Sequence, residues 1–218
     1  ASDVDKGQPH YVLLHEEEKR LNDLLDELIL GCPFQYCIGT SRFMELDLSV
    51  GPGVLIPRPE TEELIEWVLA EKSASITTVW DVCTGSGCIA LALKKAQSDW
   101  LIKGFDISKQ ALAVARKNAN DLSLEVSFEE KNVLDWSNNR QQCDLIVSNP
   151  PYVLPSEKIK MHTNVLEHEP GLALFVPEED PLVFYRKIIE IASTCLSKSG
   201  CIYFEINPLL VEELIALG

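Results

Sequence analysis

Between residues 78 and 206 the chain alternates short apolar runs with helical periods, and this alternation is its tightest constraint. Strands are expected at 78–82, 101–105, 124–128, 143–148 and 201–206. Helices are expected at about 87–96, 109–120, 181–196 and 209–217. For the third helix, Asp180 suits the N-cap, Pro181 the first helical position and Gly200 the residue past its end. Strand and helix in strict turn specify a mostly parallel sheet with helices on both faces, so the fold class is α/β. Ligands of such sheets bind outside the carboxyl ends of the strands.

At the first of those ends stands Trp80-Asp81-Val82-Cys83-Thr84-Gly85-Ser86-Gly87-Cys88-Ile89-Ala90. Glycines here let a ligand approach the backbone closely. Asp106 ends the second strand, where a carboxylate accepts from both hydroxyls of a ribose. Asn132 follows the third strand, within reach of a base edge. A nucleoside-bearing cofactor is expected, and two compete. Gly85-x-Gly87-x-x-Ala90 with a later acid satisfies the dinucleotide fingerprint. An acidic residue just before the loop suits S-adenosylmethionine (SAM) better, because Asp81 can receive its amino acid part, whereas a pyrophosphate is repelled by a carboxylate so close. Asp81 has a plain structural reading too, as a cap for the glycine turn.

The fourth strand runs into Asn149-Pro150-Pro151-Tyr152. Two prolines cannot donate to a ladder, so the strand stops and the turn stiffens. The Asn149 side-chain carbonyl and the Pro150 carbonyl are two acceptors beside the flat ring of Tyr152, which suits a planar group ending in NH2. The plain alternative is a proline-rich turn, with Tyr152 plugging the loop to the core.

Upstream, residues 16–30 place Leu21, Leu24, Leu25 and Leu28 on one helix face, ended by Gly31-Cys32-Pro33. One amphipathic helix makes no domain, so this is expected to be the end of a helical unit or a helix docked on the main body. Residues 34–50 suggest a hairpin, its arms 34–38 and 42–48 flanking Gly39-Thr40-Ser41. Pro57 and Pro59 keep the next stretch extended, and a helix follows from near Thr61. Residues 164–179 show no clear period and are expected to be a long functional loop.

At 218 residues the chain can bury one good core with a small unit left over. Its net charge of −15 makes a poor surface for nucleic acid, whose affinity comes largely from neutralised phosphates. No apolar run approaches the roughly 18 residues of a membrane span, and no signal peptide is visible from Ala1 to Asp5. The seven cysteines, at 32, 37, 83, 88, 143, 195 and 201, are odd in number and form no CxxC pair. They suggest reduced thiols in a cytoplasmic protein with no metal site.

Assembled, these stretches resemble the HemK-type protein-(glutamine-N5) methyltransferases, which modify peptide-chain release factors. The resemblance is carried by Ile56-Pro57-Arg58-Pro59-Glu60-Thr61-Glu62, the loop from Asp81 to Gly87, Asp106, Asn149-Pro150-Pro151-Tyr152, and Glu169-Pro170 followed by Ala173-Leu174. Asn-Pro-Pro-Tyr alone is shared by enzymes methylating adenine, cytosine or glutamine; its combination with the Ile-Pro-Arg-Pro segment is much more specific. The resemblance implies a Rossmann-like class I SAM-dependent methyltransferase core. Residues 1–31 would be the remnant of an N-terminal helical domain, 32–56 a connecting hairpin, and 57–218 the catalytic domain without its last strands.

It also implies methyl transfer from SAM to the glutamine amide of a Gly-Gly-Gln motif. Asp81, Cys83, Thr84, Gly85, Ser86 and Gly87 would meet the methionine end of the cofactor, Asp106 its ribose, Asn132 and Val133 its adenine. Asn149, Pro150, Pro151 and Tyr152 would hold the glutamine. Arg58 would face an acidic partner or pair with Glu60 or Glu62. Cys83 replaces the family's first loop glycine, which implies a backbone without positive φ there. His162 and His168 are read as loop residues rather than bases. The partner is a release factor, with no direct nucleic acid or membrane contact, and a monomer is expected. The rivals are a nucleic-acid amino methyltransferase, a nicotinamide-dependent oxidoreductase and a non-catalytic scaffold.

Overall fold

The structure is a computed structural model that describes residues 14–71, 76–136 and 141–217. The readings at Ala1 to Asp5 and at Gly218 lie outside the described residues. The chain opens with α1 (His15–Ile29), α2 (Phe34–Ile38) and the hairpin β1 (Thr40–Phe43) and β2 (Leu46–Ser49). Next come α3 (Pro59–Glu71), β3 (Thr78–Val82), α4 (Cys88–Ala96), β4 (Leu101–Asp106), α5 (Lys109–Asp121) and β5 (Ser127–Glu130). The last part holds β6 (Cys143–Ser148), α6 (Thr163–His168), α7 (Gly171–Leu174), α8 (Val183–Cys195), β7 (Leu196–Phe204) and α9 (Val211–Leu217). None of the described helices is long and apolar enough to cross a membrane.

β3 to β7 form one parallel sheet in the order β5-β4-β3-β6-β7. Alternation within its strands splits the core in two. Val79, Ile102, Leu145 and Val147 face α3, α4, α5 and the hairpin. Trp80, Val82, Phe105 and Ile146 face α8. On that second face Trp136 stacks on Trp80 at 5.5 Å and tilts against Phe105 at 4.7 Å. Strand order reverses between β3 and β6, and a crevice opens at such a switch point.

Several local readings change. Residues 34–38 form helix α2, not a hairpin arm. Pro33 is pre-set at φ −56° to enter a helix and Gly39, at φ +74°, ends it. The turn buries Tyr36, whose hydroxyl donates to the Val54 carbonyl. The hairpin pairs Thr40 with Ser49 and turns at Met44 and Glu45 instead of at Gly39-Thr40-Ser41. The strand expected at 124–128 pairs only from Ser127.

The N-cap of α8 is Leu182; Asp180 is held instead by the Arg186 guanidinium at 2.8 Å. Gly200 lies inside β7, not past a helix. The ladder skips there, from Cys143 opposite Leu196 to Leu145 opposite Cys201, and a Cβ at Gly200 would come within 3.1 Å of the Asp144 carbonyl. The 164–179 stretch carries two short helices, α6 and α7. The leucine face of α1 stays largely open, with no α1 residue buried and Leu21 and Leu25 each 45% exposed.

Candidate active site

Strand register builds the site. Val82 lies opposite Phe105 and Ser148, and Ser148 lies opposite Phe204. One step further on, Asp106, Cys83, Asn149 and Glu205 stand in a row along the carboxyl edge of the sheet. The backbone holds the row: Thr84 N–H donates to the Phe105 carbonyl at 2.9 Å, and Glu205 N–H to the Ser148 carbonyl at 3.0 Å. A cavity of about 210 Å³ lies over it, walled by Pro57, Arg58 and Thr61 on one side and Pro170, Leu172 and Ala173 on another.

Asp81 is fully buried under the glycine loop, and its two oxygens do different things. Oδ2 accepts from the Thr84 hydroxyl at 2.5 Å and from Ala90 N–H at 3.1 Å, capping the loop and the first turn of α4. Oδ1 is buried and has no hydrogen-bond partner. Burial, with a smaller push from Asp106, raises its carboxyl pKa to about 7. Cys83 takes φ +65°, against the expectation of a backbone without positive φ, because the loop must turn there whichever residue stands in it. Its thiol is pushed well above the usual range by burial, then by Asp106 and Asp81, so it is no nucleophile.

Gly85, at φ +55°, has open space where a Cβ would stand, facing the cavity it lines. Ser86 lines the cavity as well, and its buried hydroxyl is unpartnered. Gly87 does not line the cavity; it is the N-cap of α4 at φ +83°, and a Cβ there would press on Phe128 at 3.1 Å.

Asp106 Oδ2 accepts from Gly85 N–H at 2.9 Å and Oδ1 from Ser108 N–H at 2.8 Å. Burial raises its pKa against the pull of the Ser108, Gly85 and Ile107 N–H groups, and a carboxylate's lone pairs still leave room for a hydroxyl. Asn132 is engaged in its own turn, its Oδ1 accepting from Leu134 N–H at 3.1 Å and its Nδ2 donating to Asp135. Val133, Trp136 and Phe105 give the cavity an apolar slot beside it.

At the other end of the row, Asn149 lines the main cavity and a smaller one that also includes Tyr152 and Glu205. Asn149 Nδ2 donates to Thr61 Oγ1 at 3.1 Å; among the described residues neither Asn149 Oδ1 nor the Pro150 carbonyl accepts a hydrogen bond. Pro151 lines the main cavity; Pro150 is buried and lines neither. Tyr152 donates its hydroxyl to Glu205 Oε1 at 2.8 Å. Burial and then the Glu205 charge push its pKa far up, so it stays protonated as a donor.

Arg58 pairs with neither Glu60 nor Glu62. Its guanidinium meets Glu169 Oε1 at 2.6 Å, and Glu169 Oε2 accepts from Ile56 N–H at 3.1 Å. Those two bonds fasten the proline-bounded segment over the cavity. His162 caps α6 and His168 ends it; neither lines the cavity. Away from the site, Glu27, Cys32 and Cys37 bring ligand atoms within 4.8 Å of one another where α1 meets α2.

The chain was compared with known proteins. Residues 61–169 match the methyltransferase small domain family. The release factor glutamine methyltransferase of Flavobacterium psychrophilum is 48% identical over 189 residues, covering 85% of this chain and 66% of that one. Its counterpart in Bacteroides thetaiotaomicron is 43% identical over 202 residues, covering 92% and 72%.

The chain belongs to the release factor glutamine methyltransferase family.

The chain spans about two thirds of the length of the curated relatives it matches. Among solved structures, the ribosomal protein L11 methylase of Lactobacillus delbrueckii subsp. bulgaricus superposes with a TM-score of 0.54 at 20% identity, covering 77% of this chain and 71% of that one. That likeness bears on the fold, which is the class I methyltransferase fold. The enzyme is a SAM-dependent methyltransferase.

The residues present fit SAM: the open face of Gly85, the orphaned Ser86 hydroxyl, the Asp106 carboxylate and the apolar slot at Val133 all line the cavity and suit its parts. Asp81, expected to receive the amino acid part, does not line the cavity and braces the loop from beneath. Sequence reasoning missed three residues of the candidate site. Thr61 and Glu169 stood inside motifs already singled out, without a role. Glu205 was hidden inside the strand expected at 201–206; the structure ends β7 at Phe204 and so sets Glu205 directly after it. Asn118 was also missed; it bonds Ser49 at 2.7 Å and the Ser86 carbonyl at 3.0 Å, tying the hairpin to the glycine loop.

Proposed function

We propose that this methyltransferase transfers the SAM methyl to the side-chain amide nitrogen of the glutamine in the Gly-Gly-Gln motif of a release factor. The observation that carries this reading is Asn149 Oδ1, a free acceptor among the described residues on the wall of the cavity, with the Pro150 carbonyl, also free, on the next residue of the same turn. An amide nitrogen is a poor nucleophile, because its lone pair is delocalised into the carbonyl. Two acceptors that each take one N–H turn the nitrogen's lone pair away from them and favour a pyramidal nitrogen.

When bound, SAM supplies an electrophilic sulfonium methyl. Thr84, Gly85 and Ser86 would hold its methionine end on the loop that Asp81 braces, Asp106 its ribose, and Asn132 and Val133 would flank its adenine. Tyr152, fixed by Glu205, would hold its ring against the flat carboxamide, with Pro151 closing the pocket. Alignment, rather than proton abstraction, supplies most of the rate. The alkylated nitrogen is strongly acidic and loses its proton to water, so no side-chain base is required. Arg58 acts from behind, holding its segment to Glu169.

A cytoplasmic setting is supported by the cysteines: all seven are free, and Cys143 and Cys195 stay unbridged with their sulfurs 3.9 Å apart. Incubation of the protein with SAM and a release factor, followed by mass spectrometry, tests the function. One added methyl on the motif glutamine is expected. Methyl appearing only on DNA or RNA offered beside it would overturn the reading.

A further inference from the structure

An asparagine amide can sit in its pocket two ways, and only one of them offers an oxygen to a substrate NH2. Three side chains decide which. The Glu205 carboxylate receives the Tyr152 hydroxyl on Oε1 at 2.8 Å and the Thr61 hydroxyl on Oε2 at 2.6 Å. Thr61 is 2% exposed, and with its one proton spent on Glu205 its oxygen can only accept. Asn149 stands 3.1 Å from that oxygen and must turn its NH2 toward it. Its carbonyl is then left for the cavity. The alternative would set the Asn149 oxygen against the Thr61 oxygen with no proton between them.

From this relay we infer that Thr61 and Glu205 are positioning residues that set the Asn149 amide, and with it the preference for a carboxamide over a carboxylate. The inference rests on the glutamine-transfer reading above and adds to it the source of discrimination between glutamine and glutamate. Neither residue need touch the reacting atoms. A glutamate in the substrate carries no N–H, so a pocket showing Oδ1 repels it; a pocket showing Nδ2 would accept it.

The test replaces Thr61 with valine, which keeps the shape and removes the hydroxyl. Methylation is measured with a Gly-Gly-Gln release factor, and a Gly-Gly-Glu variant of the same factor serves as competitive inhibitor. In the Thr61→Val protein kcat is expected to fall about tenfold, the worth of one net hydrogen bond, with SAM affinity kept. The ratio of the glutamate factor's Ki to the glutamine factor's KM is expected to shrink by a similar factor. Thr61→Ser should restore both. A merely structural role would weaken both factors alike and leave the ratio standing; unchanged kcat or an unchanged ratio overturns the inference. If Thr61→Val does not fold, Thr61→Ala carries the same expectations.

The side-chain amide NMR signal of Asn149 in the protein alone separates this claim from the function. If the wild type methylates no glutamine, the function falls, and the orientation is still decided there. A signal that moves in Thr61→Val and returns in Thr61→Ser supports the relay, and one indifferent to both overturns it.

Discussion

Glu205 Oε2 accepts the Thr61 hydroxyl at 2.6 Å, although 144 residues separate the two in the chain. The bond joins the first turn of α3 to the residue after β7, linking a wall of the main cavity to the smaller one that Glu205 lines. It lies beside Asn149, so both ends of the domain shape the pocket at the one turn that carries the acceptors.

Asn149→Ala should lose activity by about two orders of magnitude or more while SAM still binds, as expected for lost transition-state positioning. Initial rates with a release factor, paired with calorimetry for SAM, check this. Undiminished turnover would remove the role given to Asn149.

Asp81 should make stability fall as pH rises through neutrality. Its folded pKa, about 7, lies above the ordinary carboxylate value. Below about pH 4 the group is protonated in both states and contributes no difference. Between that point and pH 7 the unfolded chain ionises and the folded protein holds its proton, so the folded state loses ground with each pH step. The penalty is fully present above pH 7. Asp81→Asn, which does not titrate, should gain on the wild type by on the order of 2 kcal/mol between pH 5 and pH 8. Urea unfolding at the two pH values reads the difference, and parallel curves would refute it.

At Cys83, glycine should be more stable than alanine by about 1 kcal/mol, the reverse of the usual order, because the φ of +65° penalises any Cβ. Comparing Cys83→Gly with Cys83→Ala cancels the loss of the thiol from both. Equal melting temperatures would argue that the turn relaxes in solution.

Glu169→Ala should cost about 2–3 kcal/mol, since it strands both the Arg58 guanidinium and the buried Ile56 N–H. Thermal unfolding reads this directly. A cost near zero would mean that water or a neighbouring acid replaces the carboxylate.

Much of the site was legible because strand ends mark it. Asp106 and Asn149 each stand at the close of an apolar run, and a parallel sheet sends all such ends to one edge. The glycine loop and the proline pair announced themselves by backbone chemistry alone. Residues 34–38 went wrong because five residues alternate as readily in a strand as they cover one turn of helix; burial of Tyr36 chose between them. For Arg58 the sequence offers an acidic partner or the neighbours Glu60 and Glu62, and nothing local picks out Glu169, which lies 111 residues away.

The sequence by itself determined the parallel sheet, the edge where ligands bind and the residues that stand on that edge, since these follow from periodicity and from glycine and proline. Which way a side chain turns was decided only by the tertiary structure. Asn149 offers its oxygen rather than its NH2 because of protons held by Thr61 and received by Glu205, and a hydrogen bond between distant segments leaves no local pattern to read.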